Sequence, residues 1–173
     1  TVVLPGDFSW ATYIEQSKRD FDFLNKLNGR KIISKGNHDY WWTTMNKLHK
    51  FTAEQGYKNI EFMQNNSFLY EDTAICGSRG WIHPAWDGFS GNDRKMFDRE
   101  CIRIELSIKS ANNYKDIIIF THYPPCSTKF ESNELMDIIK KYPVSAVVYG
   151  HLHAAAHRNA LDSVHDGVEY HLV

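Results

Sequence analysis

The sequence predicts an α/β fold built on a layered sheet, and three observations carry that prediction. Residues 1–4, 31–34, 116–120 and 145–149 form short β-branched runs that read as buried strands. Stretches with helical spacing of apolar residues separate them, the alternation expected of an α/β chain. Each run then ends in a segment of metal-binding character: Gly6-Asp7, Gly36-Asn37-His38-Asp39, Thr121-His122 and Gly150-His151-Leu152-His153. In open α/β sheets, ligands gather at the carboxyl ends of the strands.

The elements follow in order. After the first strand, Ile14, Phe21, Leu24 and Leu27 give residues 10–27 a loose helical spacing, stopped by Asn28-Gly29. The second strand precedes a helix over 43–55, closed by Gly56. Residues 67–70 and 73–76, joined by Glu71-Asp72, predict a hairpin. Residues 81–92 are Trp, Pro, Gly and Asp without period, which predicts a long loop. Phe97, Cys101, Ile104 and Ile108 then make one apolar helical face, and Lys95, Arg99 and Arg103 a basic stripe opposite it, read as a solvated face. The third strand, a helix over 131–141 and the fourth strand complete the alternation, and Asp166-Gly167 predicts a tight terminal hairpin.

Bulk composition narrows the class. At 173 residues, the chain reads as one domain over 1–173, long enough to close a core. A hydrophobic fraction of 42% and a charged fraction of 24% exclude disorder, and no apolar stretch reaches the ~20 residues of a spanning helix. Net charge of −1 argues against an unspecialised nucleic-acid binder. Cys76, Cys101 and Cys126 fit no metal-ligand spacing and read as reduced thiols, which points to the cytoplasm.

The strand ends carry chemistry. Gly6 lets the backbone turn so that the Asp7 carboxylate projects from the strand tip, where two oxygens can bridge two cations. Asn37 offers a neutral carbonyl oxygen. His38 beside Asp39 predicts an imidazole whose protonated form the carboxylate stabilises, fit to protonate a leaving oxygen. His151 and His153, at i and i+2 of an extended segment, fall on one face and can each serve one metal of a pair about 3.5–4 Å apart. Arg79, in a Gly-flanked turn, is a candidate phosphate clamp. Taken singly, each motif is also a turn, a cap or a structural histidine. Together they are the mixed oxygen and nitrogen set of a two-metal hydrolase.

The order Gly-Asp, Gly-Asn-His-Asp, His, Gly-His-x-His resembles the calcineurin-like metallophosphoesterase family, over nearly the whole chain from Asp7 to His153. The longer forms around Trp10, around Tyr40-Trp41-Trp42 and at Gly77-Ser78-Arg79-Gly80-Trp81 resemble a bacterial predicted-phosphohydrolase branch. The resemblance implies a four-layer α/β/β/α sandwich with a dinuclear site. It implies Asp7 as the bridging ligand, Asn37, His122 and His151 on the second metal, and His153 on the first. His38 would be the catalytic acid, oriented by Asp39, while a hydroxide bridging the metals attacks phosphorus in line. Two divalent metal ions are implied, Mn²⁺ first among Fe, Zn²⁺ and Ni²⁺. The substrate would be a phosphomonoester or phosphodiester, on a small molecule or a protein.

One family motif is absent: no Asp-x-His occurs in the sequence, and the strand that carries it is expected upstream of Thr1. That departure keeps a noncatalytic interaction scaffold of the same fold in view. A nuclease of the same family is the other alternative, with the Lys95–Arg103 stripe as its only basic track.

Overall fold

The structure is a computed structural model that describes residues 1–173. It is a mixed α/β fold with two sheets. Strands β1 (Val2–Leu4), β2 (Lys31–Ile33) and β3 (Ile60–Phe62) form a parallel three-stranded sheet in that order. The second sheet contains β4 (Phe68–Tyr70), β5 (Thr73–Ser78), β6 (Asp116–Thr121), β7 (Val144–Tyr149), β8 (Ser163–His165) and β9 (Val168–Leu172). Its order is β4-β5-β6-β7-β9-β8, with β5, β6, β7 and β9 parallel and antiparallel partners at both edges.

Four α-helices cover these sheets: α1 (Lys18–Lys26), α2 (Met45–Glu54), α3 (Gly91–Lys109) and α4 (Glu134–Ile139). Phe21 and Leu24 of α1 and Leu48 and Phe51 of α2 pack with Ile33, Ile60 and Phe62 of the small sheet. Phe97, Cys101, Ile104 and Ile108 of α3 pack with Ala74, Cys76, Ile117 and Ile119 of the large sheet, which is the apolar face that their spacing predicts. Ile32 points the other way from Ile33, as strand alternation requires, and meets Met63 and Ile75. Burying one such side chain contributes roughly 1.5–3 kcal/mol.

Several boundaries differ from the sequence prediction, each for a physical reason. The first helix does not begin near Trp10. Ser9 donates its N–H to Asp39, and Trp10 stacks on His38, so helix starts only after a 3₁₀ turn at Ile14–Ser17. Helix α3 begins inside the predicted loop because Ser90 caps it: Ser90 Oγ accepts from Asp93 N (3.2 Å), and Asp93 Oδ2 accepts from Ser90 N (2.9 Å). Strand β3 is too short for its alternation of Ile60 and Phe62 to stand out. The last hairpin turns where expected, Asp166 and Gly167 both having positive φ.

All three cysteines are buried and unpaired, and burial pushes the Cys76 thiol up to about 11 and the other two to about 12. No helix is long and apolar enough to cross a membrane.

Candidate metal centre

The carboxyl ends of β1 and β2 from one sheet, and of β6 and β7 from the other, converge, and they bring four of the predicted residues together. The convergence requires glycine. A Cβ on Gly36 would stand 2.1 Å from Asp7 Oδ1, and one on Gly6 would stand 2.6 Å from the Gly36 backbone. Gly6 and Asp7 both adopt positive φ (96° and 56°), the turn that aims the carboxylate inward.

Four lone-pair atoms meet there. Asn37 Oδ1 lies 2.6 Å from His122 Nε2 and 3.0 Å from His151 Nδ1. The two imidazole nitrogens are 3.2 Å apart, and Asp7 Oδ2 is 3.4 Å from His122 Nε2. His122 is 1% exposed, and its Nδ1 faces the Pro5 carbonyl at 3.0 Å. A carbonyl only accepts, so Nδ1 carries the proton and neutral His122 presents a bare Nε2 to the cluster. Asp7 Oδ2 is therefore buried without a hydrogen-bond partner. The His151 ring rests against Tyr123, their centroids 4.3 Å apart.

Both imidazoles are held neutral. Burial lowers the basicity of His122, against the opposing pull of the Asp7 charge. Burial, then the neighbouring His122, pulls His151 down to about 4, and His153 and His38 push in the same direction. At most one proton, that of His151, is available to be shared among the four atoms.

This donor set fits a divalent cation. Ligand atoms about 2.1 Å from a metal at right angles stand about 3 Å apart, the spacing observed. No three His, Cys, Asp or Glu side chains suffice alone. The carboxamide of Asn37 completes the group.

The remaining predicted residues lie around it. His38 sits at the rim, its backbone N–H donated to Asp7 Oδ1 (2.8 Å). Its ring stacks on Trp10 at 4.6 Å and 12°, with Tyr40 edge-on. His153 is exposed on the loop after β7 and has no hydrogen bond to the cluster. Arg79 follows β5, stacks on Trp81 (4.4 Å) and lies 3.6 Å from Glu100, while its Nε is buried without an acceptor. Its backbone carbonyl accepts the N–H of His122 and of Tyr123, which ties the β5 turn to the site.

The predicted pairing of Asp39 with the His38 imidazole is not present. Asp39 is fully buried and accepts from the backbone N–H of Asp7 (2.7 Å), Gly36 (2.7 Å) and Ser9 (3.2 Å) and from the Trp41 indole (3.0 Å). Both oxygens are committed, so Asp39 clasps the β1 and β2 loops together, and Trp10 is what orients His38. Burial raises the Asp39 carboxyl, and the N–H donors work against that rise. Two contributors have no signature in the sequence: the Pro5 carbonyl that fixes the His122 tautomer, and the Tyr123 ring beneath His151.

No curated protein matches the chain. The profile of the calcineurin-like phosphoesterase family matches residues 1–155 and so takes in all four strand-end motifs. The chain belongs to the calcineurin-like phosphoesterase family.

Proposed function

We propose that the chain hydrolyses phosphoesters in a metal-dependent manner, with Asp7, Asn37, His122 and His151 holding one divalent ion and Asp7 and His153 serving a second. The observation that carries this reading is the meeting of three lone-pair atoms within 3.2 Å of one another, with the orphaned, buried Asp7 oxygen 3.4 Å from one of them. When bound, divalent ions supply Lewis acidity toward phosphoryl oxygens. Mn²⁺ is the first choice for a mixed oxygen and nitrogen shell, and the family generally uses a dinuclear divalent centre.

The chain's own groups do the rest. The Pro5 carbonyl keeps the His122 proton on Nδ1 and so leaves Nε2 free to bind. Burial keeps both imidazoles unprotonated at neutral pH, the form that can act as a ligand. His38, held in plane by Trp10, would protonate the leaving oxygen. Arg79, its Nε buried but its guanidinium partly exposed, would offer its remaining N–H groups to a phosphoryl oxygen, while its stack on Trp81 limits its freedom.

The test is metal content measured alongside turnover of p-nitrophenyl phosphate and bis-p-nitrophenyl phosphate with added Mn²⁺. EDTA-sensitive turnover is the expected result, and the ratio of the two rates separates monoesterase from diesterase. Absence of turnover after Mn²⁺ is restored would leave a noncatalytic scaffold of the same fold.

A further inference from the structure

Beside the metal centre lies a cavity of about 320 Å³ that shares only Arg79 with the reaction as described. Its walls come from the chain just beyond β2, β3 and β5, so it opens at the same end of the sheets as the four ligands. Lys35 is two residues before Asn37, and Arg79 is the residue whose carbonyl holds the His122 N–H. Helix α3 closes the far side with Met96, Arg99, Glu100 and Arg103, at i, i+3, i+4 and i+7, one face of a helix.

The charge of this lining is unbalanced. Lys35, Arg79, Arg99 and Arg103 face the cavity together with a single carboxylate, that of Glu100. Glu100 is 5% exposed and already engaged: it accepts from Ser78 Oγ at 2.6 Å and lies 3.6 Å from both Arg79 and Arg103. It acts as a tether that holds two guanidinium groups at the wall. Arg99 and Lys35 have no acidic partner within ion-pair distance, unlike Arg79 and Arg103. Lys95 and Arg99 are exposed and the Arg103 side chain is 38% exposed, as a solvated stripe requires, and of the three Arg99 and Arg103 also line the cavity.

We propose that this cavity is a second anion subsite, which takes a phosphoryl group of the substrate other than the one hydrolysed. The substrate class is then a small molecule bearing at least two phosphoryl groups. Guanidinium groups suit that task because their planar donors pair with two oxygens of one phosphoryl group. The volume is at the small end of the about 300–1,000 Å³ typical of small-ligand sites, so it admits a compact group rather than a polymer track. Naming the occupant as substrate rests on the phosphohydrolase reading; the anion site itself stands on the cavity alone.

The test is calorimetric titration of inorganic tripolyphosphate into EDTA-treated protein at low ionic strength. Saturable binding is expected without metal, since side chains alone build the site. Arg99→Gln with Arg103→Gln should weaken it about tenfold or more, and Arg99→Gln alone by less, because charge-assisted pairs are lost. The charge-matched control Lys95→Gln, on the exposed face of α3, should leave it within about twofold, as a screened surface charge would. No binding, or equal weakening by Lys95→Gln, would overturn the subsite. Tighter binding of a dT oligonucleotide than of tripolyphosphate would overturn the small-molecule assignment. Failure of the hydrolase reading shows separately: wild-type protein that binds tripolyphosphate but lacks Mn²⁺-dependent turnover sinks that reading and leaves the anion site.

Discussion

His38 and Asp7 are a few residues' reach from one another in space, yet their proposed tasks separate cleanly under mutation. His38→Ala removes a proton donor but no proposed ligand. Turnover of p-nitrophenyl phosphate should fall ~10²–10⁴-fold with metal content retained, the range for loss of a general acid. Near-wild-type turnover would remove that role. Asp7→Asn should act on metal loading itself, because it removes the negative charge and replaces one carboxylate oxygen by an amide nitrogen that cannot bind a cation. Unchanged metal content would refute it as a ligand. Asp39 differs from both. Its carboxylate satisfies three backbone N–H groups and an indole, so Asp39→Ala strands buried donors and should cost on the order of 3 kcal/mol in urea unfolding. The sequence shows Asp39 next to His38 and nothing of the distant backbone that it clasps, which is why adjacency misled.

The strands and their glycines make the site rather than the loops by themselves. Gly36→Ala places a methyl 2.1 Å from Asp7 Oδ1 and should both destabilise the fold by about 1–3 kcal/mol and lower metal affinity. Gly91→Ala, at the start of α3, meets nothing within 4 Å and should instead stabilise by about 0.5–1 kcal/mol. Urea midpoints of the two variants check both signs. The four strands leading to the cluster were legible because β-branched runs of four or five residues mark buried parallel strands. Strand β3 was not, since three residues cannot display a period, and the start of α3 hid in the Ser90–Asp93 capping box. The 3₁₀ turn at Ala154–Asn159 after His153 carries no apolar pattern at all.

Across the whole molecule, the meeting of Asp7, Asn37, His122 and His151 was legible in the sequence because each lies within four residues of a strand end, and parallel strands deliver their ends to one place. His153, on the exposed loop beyond, does not join them. The cavity was not, because its lining joins residues 35 to 103 through tertiary contacts. The neutral imidazoles carry a consequence for stability. His151 titrates at about 4 when folded and near its usual value when unfolded, so between those limits the unfolded chain binds more protons. Stability of EDTA-treated protein should therefore be fully present above pH ~6.5 and decline as pH falls toward ~4. A urea midpoint that stays flat over that window would contradict it. The central claim is that Asp7, Asn37, His122 and His151 form a cation site, and calorimetric titration of Mn²⁺ into metal-stripped protein addresses it most directly. At least one ion per chain should bind, and His122→Ala should abolish that event. Wild-type protein that takes up no ion, or a His122→Ala variant that binds as well as wild type, would contradict the account.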